Sequence, residues 1–276
     1  MKKSVQNSFS LKDKVVVITG AAGLLGQQHA RVVSEAGGTP ILLDINSEVV
    51  VIAENIAVEL KVPAKGFQID ITDESSVALN AKTLLDKYKK IDALVNNAAN
   101  NPKMENEEGE SFSRLENFSL ELWYSDLAVG LTGSFLCAKH YGTAISENSN
   151  GGVILNISSD LGLIAPDQRL YQKTGLNEKQ QPVKPITYSV VKTGLVGLTR
   201  YLATYWPNQV RCNALCPGGV ENGQSMEFIN DVCDRIPMGR LAQPDEYCGA
   251  VLFLLSEASA YLNGAVIAMD GGRTVW

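Results

Sequence analysis

The chain has 276 residues, 45% of them hydrophobic, and a formal net charge of −6. That length fits one or two domains, and that composition can bury a large core. The acidic balance argues against general nucleic-acid or anionic-membrane binding, and no apolar run reaches the roughly 18–20 residues needed to span a bilayer.

Four apolar residues, Val15-Val16-Val17-Ile18, read as a strand buried on both faces, as in a parallel sheet. A glycine-rich turn, Gly20-Ala21-Ala22-Gly23-Leu24-Leu25-Gly26, follows at once and leads into a helical pattern to about Ala36. Residues 39–44 read as a second strand ending in Asp44, residues 47–60 as a helix, and residues 65–70 as a third strand. Asp73-Glu74 suits the start of a helix that runs to about Tyr88, with Thr72-x-x-Ser75 only a loose cap. A fourth strand spans 91–95 and ends at Asn96-Asn97-Ala98-Ala99. The acidic segment 100–118, with Glu105, Glu107, Glu108 and Glu110, reads as a solvated loop. A long helix over 120–146, a strand over 153–157 ending at Ser158-Ser159, and a polar segment over 160–187 come next. A helix over 188–206, a strand over 210–215, a helix near 244–256 and a last strand over 265–269 close the chain.

Strand and helix alternate almost throughout, with no linker or repeat. The expected fold class is α/β, a single doubly wound parallel sheet of Rossmann type with helices on both faces. Residues 1–11 are expected as an N-terminal extension and 12–276 as one domain, with 160–187 as a substrate loop. The polar run from Ser4 to Ser10 does not continue Met1-Lys2-Lys3 as a secretory leader. The five cysteines, Cys137, Cys212, Cys216, Cys233 and Cys248, are odd in number and scattered, which suits buried thiols in a reducing cytoplasm. Cys212-x-x-x-Cys216 has no second pair nearby, so no metal site is expected. His29 and His140 fall within helical patterns and read as structural.

In such a sheet ligands bind outside the carboxyl ends of the strands. Asp44, Asp70, Asn96, Ser159 and Pro217 all sit at or just past those ends. Gly20 can turn sharply out of the first strand, Gly23 lets backbone approach a phosphate, and Gly26 lets helix and strand pack closely. The helix N-terminus offers unpaired N–H groups to a pyrophosphate. Gly20, Gly23, Leu25 and Gly26 are therefore candidate cofactor contacts. Asp44 can accept the hydroxyls of an adenosine ribose and would repel a 2′-phosphate, so NAD is expected over NADP.

Tyr188-Ser189-Val190-Val191-Lys192 is the only Tyr-x-x-x-Lys in the chain. Tyr188 opens a helix, so Lys192 lies one turn on along the same face. A nearby ammonium favours the phenolate and is expected to lower the phenol pKa, aided by the charge of an oxidised nicotinamide. Tyr188 could then take the proton of a substrate alcohol, with Ser159 hydrogen-bonded to the same oxygen.

These residues, taken in order with Thr19-Gly20, Asn96-Asn97-Ala98-Ala99, Ile157-Ser158-Ser159 and Pro217-Gly218, resemble the short-chain dehydrogenase/reductase family over 12–272. The resemblance implies strand order 3-2-1-4-5-6-7 and a homodimer or homotetramer. It also implies that Asp70 and Ile71 flank the adenine and that Asn96 and Ala98 lie along the cofactor. By the same resemblance Lys192 holds the nicotinamide ribose, Pro217 to Val220 border the nicotinamide, and Ser159, Tyr188 and Lys192 are catalytic. Three departures stand out. Leu24 occupies the place of the middle glycine. Gly130, in Val129-Gly130-Leu131-Thr132-Gly133, replaces the helix asparagine that holds a proton-relaying water. Ser159 and Tyr188 are separated by an unusually long segment.

Past Asp160 that segment carries Arg169, Lys173, Lys179 and Lys184 against Asp167 and Glu178, and Gln168, Tyr171, Gln172 and Gln181 add hydrogen-bonding groups. This suits a sugar-like, polyhydroxylated substrate, phosphorylated or nucleotide-linked. The Gly23, Gly130 and Cys216-Pro217-Gly218-Gly219-Val220 features, with Asp270-Gly271-Gly272-Arg273-Thr274, resemble flagellin-modification oxidoreductases of nonulosonic sugar pathways. The expected activity is hydride transfer between NAD and a secondary alcohol or ketone. A sugar epimerase or dehydratase that keeps its NAD, and a weakly catalytic dinucleotide-binding protein, are the alternatives.

Overall fold

The structure is a computed structural model that describes residues 4–100 and 111–276. Met1-Lys2-Lys3 and Glu105, Glu107, Glu108 and Glu110 lie outside the described residues. The chain forms one seven-stranded parallel sheet of order β3-β2-β1-β4-β5-β6-β7. Before it lies a short helix, α1 (Val5–Ser8). The strands are β1 (Val15–Thr19), β2 (Thr39–Asp44), β3 (Lys65–Gln68), β4 (Ala93–Asn96), β5 (Gly152–Ile157), β6 (Val210–Pro217) and β7 (Val266–Met269). Between them run α2 (Leu24–Glu35), α3 (Val49–Leu60), α4 (Glu74–Tyr88), α5 (120–146), α6 (Ile186–Tyr205), α7 (Met226–Cys233) and α8 (Cys248–Leu255).

The unbroken apolar run of β1 follows from this layering, because neither face of the strand meets water. Val16 and Ile18 pack with Ala30 and Val33 of α2, Ala53 and Ile56 of α3, and Val251 and Leu254 of α8. Val15 and Val17, pointing the other way, pack with Val77 and Leu84 of α4, Tyr141 and Ile145 of α5, and Leu202 of α6. The period of two along the strand thus splits one hydrophobic run between two cores.

Several local details differ from the expectation. Asp73, not Thr72, caps α4, its side chain accepting from Ser75 N at 3.0 Å. The long helix α5 is not uniform: Ala128–Gly133 and Ala138–Gly142 are π-helical turns set within it. Helix α7 has no counterpart in the sequence reading, although Ser225 caps it at Phe228 N and Glu227 lies in its first turn. The segment 160–187 holds three short 3₁₀ turns rather than open coil. Among the described residues no helix is long and apolar enough to cross a membrane.

His29, on α2, is 1% exposed, and neither ring nitrogen has a hydrogen-bond partner among the described residues. Burial alone pulls its pKa from 6.5 to about 4. The unfolded chain takes up this proton near pH 6.5, while the folded chain resists until about pH 4. Stability is therefore intact above pH 6.5 and drains away as pH falls toward 4, by about 3 kcal/mol in all. Urea-unfolding free energies of the native chain and His29→Leu, compared across that window, are expected to show a flatter acid limb in the variant. Parallel limbs would remove His29 as the cause.

Candidate active site

A cavity of about 770 Å³ lies along the carboxyl ends of the strands. At one end is the glycine turn. Gly20 has φ +62°, and a Cβ there would stand 2.7 Å from Ala98 Cα. A Cβ on Gly26 would stand 2.3 Å from Gly20 O, so this glycine serves strand–helix packing and does not line the cavity. Gly23 is different. A Cβ there would meet only Gly20 O, at 3.3 Å. That backbone oxygen would have to give by a few tenths of an ångström, and the open face of Gly23 belongs to the cavity. Gly23 is also the N-cap of α2, with no side-chain cap over the first turn. Leu24 and Leu25 begin that turn at the cavity wall, and uncapped N–H groups there fit a pyrophosphate.

Asp44 ends β2 at the same cavity. Its Oδ2 accepts from Ala22 N and its Oδ1 from Asn46 N, both at 2.9 Å, which fixes the carboxylate across the glycine turn. Ile45 and Asn46 beside it bring no positive charge. Asp70 uses Oδ1 to hold Thr72 N and Oγ1, and with Ile71 it lines the cavity beyond Asp44. Ala98, Pro217 and Val220 line its other wall. Asn96 stands apart. Its amide donates to Asn156 Oδ1 at 2.8 Å inside the sheet, and the residue is off the cavity. The adjacent Asn97 faces the cavity instead and donates to Thr19 O and Gly20 O, tying β4 to the glycine turn.

The other end of the cavity gathers Ser159, Tyr188 and Lys192. Ser159 follows β5, Tyr188 sits in the first turn of α6, and Lys192 comes one turn later. Lys192 is 6% exposed and donates from Nζ to Ile157 O at 3.0 Å, with Nζ 5.8 Å from the Tyr188 ring centre. Burial lowers its pKa to about 8. Ser159 Oγ is within hydrogen-bonding reach of the Tyr188 phenol. It also donates to Asp160 Oδ1 at 2.7 Å.

The expectation of a lowered phenol pKa does not hold for the protein alone. Burial raises the Tyr188 phenol; the Ser159 hydrogen bond opposes this, and the Asp160 charge adds to the rise. Desolvation outweighs the opposing Ser159 hydrogen bond, and Lys192 Nζ is engaged by the Ile157 carbonyl. At neutral pH the phenol is therefore a proton donor. It becomes a base only at higher pH or beside a further positive charge.

Gly130 sits in the first π-helical turn of α5. A Cβ there would lie 2.3 Å from Val191 Cγ1, so Val191 occupies the space an asparagine side chain would need. Beside it lies a cavity of about 20 Å³, lined by Asp126, Thr187 and Lys192, with room for a single water. Asp126, one turn before Gly130, accepts from Thr187 Oγ1 and from Asn100 Nδ2. Gly130→Asn is expected to cost about 1–3 kcal/mol by overpacking and to leave turnover no higher. Thermal unfolding should show the loss, and Val191→Ala in the same chain should recover most of it. A Gly130→Asn chain as stable as the native one would show that Val191 yields freely.

Three charged groups at this end escaped the sequence reading of the site. Asp160, Lys184 and Arg273 all line the cavity. Lys184 was visible only as one of several loop charges, and Arg273 lies far along the chain, just past β7. Asp160 adjoined Ser159, which was the one available signal. Part of the remaining wall is apolar: Tyr171 meets Phe228 of α7 with ring centres 6.1 Å apart, beside Leu170, Val232 and Leu241.

The family profile described as enoyl-(acyl carrier protein) reductase matches residues 20–274. A D-threitol dehydrogenase from Mycolicibacterium smegmatis is 31% identical, covering 99% of this chain and 97% of its own. An NAD-dependent glycerol dehydrogenase from Listeria innocua is 29% identical, covering 99% and 98%. Among solved structures, a gluconate 5-dehydrogenase from Burkholderia cenocepacia, in complex with NADP and tartrate, superposes with a TM-score of 0.82. It is 26% identical and covers 99% of this chain and 100% of its own.

Proposed function

The chain belongs to the short-chain dehydrogenase/reductase family, and from that premise we propose that it interconverts a secondary alcohol of a polyol and the corresponding ketone, using NAD. The observation that carries this reading is the meeting of Ser159, Tyr188 and Lys192 at one end of a cavity whose other end is built for a dinucleotide. The relatives that act on D-threitol and glycerol support simple polyols as substrates. They give no support to the narrower resemblance to nonulosonic sugar oxidoreductases.

The dinucleotide, when bound, supplies the hydride acceptor or donor. The chain's own residues hold the oxygen and move the proton. Ser159 and Tyr188 would hold the substrate oxygen between them. In reduction the protonated phenol donates to the carbonyl oxygen as negative charge builds there. In oxidation the same group must first lose its proton, which the raised pKa resists. Lys192 would hold the nicotinamide ribose, and its ammonium would favour the phenolate when that forms.

A screen of three- to six-carbon polyols with NAD, followed by NADH absorbance, tests the reading. Turnover of at least one polyol is expected, faster at alkaline than at neutral pH. No turnover of any polyol or of the matching ketoses with NADH would refute it. The epimerase alternative has one feature in its favour, the displaced middle glycine. It predicts tightly co-purifying NAD with no net NADH formed.

A further inference from the structure

We propose that the substrate end of the cavity contains an oxyanion subsite formed by Arg273 and Lys184, so that the preferred substrate is a polyhydroxylated acid or sugar phosphate rather than a neutral polyol. This rests on the polyol oxidoreduction proposed above and specifies its substrate class.

Arg273 is 8% exposed and lines the cavity, yet its Nε and Nη1 have no hydrogen-bond partner among the described residues. Its ion-pair partner among the described residues is Asp160, with Nε 3.2 Å from Oδ2 but poorly aligned for a hydrogen bond. Asp160 is itself partly committed, because Oδ1 accepts from Ser159 Oγ at 2.7 Å and Leu161 N at 2.8 Å. Asp270, the other buried carboxylate nearby, is used up in its own turn, accepting from Gly272 N and Thr274 N. A buried guanidinium normally has its planar fork satisfied, and leaving it open is costly.

Lys184 supplies the second cation. Its Nζ lies 3.8 Å from the centre of the Tyr188 ring and makes no ion pair with a carboxylate among the described residues. Both cations line the same cavity as Ser159 and Tyr188. Lys184, Arg273 and Lys192 face the single carboxylate of Asp160, so this end of the site has a surplus of positive charge inside an acidic protein. A guanidinium with a free Nη1 and a flexible ammonium together match a carboxylate or a phosphate monoester. Asp160 bonds Ser159 on one side and faces Arg273 on the other. The anionic group would therefore sit a few carbons from the reacting carbinol.

The test uses a matched set, D-glucitol, D-gluconate and D-glucitol phosphate, titrated calorimetrically into the full chain loaded with NAD. The same ligands are then offered as substrates. One or both anionic members are expected to bind about tenfold or more tighter than glucitol. Which of the two binds better identifies the carboxylate or the phosphate as the natural group. In Lys184→Gln and in Arg273→Gln that advantage is expected to shrink several-fold. Lys184→Gln, on the loop side, stands as the control if Arg273→Gln fails to fold. Affinities within about twofold of glucitol for both anions, or an advantage untouched in the folded variants, would overturn the subsite. Turnover reads the other claim. Neutral polyols oxidised with no anion advantage would leave the polyol reading standing and the subsite wrong. Lysine-dependent anion binding with no turnover of any member would do the reverse.

Discussion

Tyr188→Phe is expected to lower turnover by about 10³-fold while leaving NAD affinity within a few-fold of native. The phenol is the proton donor assigned to the reacting oxygen, at the start of α6, where Lys192 follows one turn later. Removing its oxygen takes away the proton path but no wall of the dinucleotide end, which is built from the glycine turn, Asp44 and the segments after β3, β4 and β6. Loss of turnover with intact NAD binding is thus the signature of a proton-transfer role. Equal activity in the variant would move the chemistry elsewhere; equal loss of binding and turnover would make Tyr188 a cofactor-positioning residue instead.

The second large effect concerns the cofactor. Native protein is expected to bind NAD at least about a hundredfold more tightly than NADP, on the order of 3 kcal/mol. The reason is steric and electrostatic together. The Asp44 carboxylate is pinned by Ala22 N and Asn46 N, so it cannot swing away from an incoming 2′-phosphate, and its neighbours offer no compensating cation. Asp44→Asn keeps an acceptor for one of those N–H groups and removes the charge. Fluorescence titration of the variant is expected to show most of the discrimination gone, with weaker NAD binding. Tighter binding of NADP than of NAD by the native chain would contradict the assignment.

Much of this arrangement is legible in the residues. The glycine turn after Val15-Val16-Val17-Ile18, the carboxylate ending β2, and the Tyr188–Lys192 spacing each report a local backbone requirement, and local requirements survive in sequence. What was not legible depends on distant chain segments. That Val191 fills the space beside Gly130 is set by how α6 docks on α5. Asn96 turns into the sheet because Asn156 on the neighbouring strand offers it an acceptor. Arg273 enters the site only because β7 ends beside β6, which no periodicity in the chain announces. Helix α7 could have been found from Ser225 and Glu227, but its eight residues are too few for a strong periodic signal. The direction of the Tyr188 shift also needed the fold, since burial raises the phenol while the Ser159 hydrogen bond opposes it.

The most direct measurement follows the hydride itself. Polyols deuterated at their secondary carbinol carbons are incubated with the protein and NAD, and the nicotinamide of the released NADH is weighed by mass spectrometry. The account predicts one deuterium on the nicotinamide, with a ketose as the other product. Label that returns to the sugar without free NADH, or that never leaves it, would contradict the assignment of this site to alcohol oxidation.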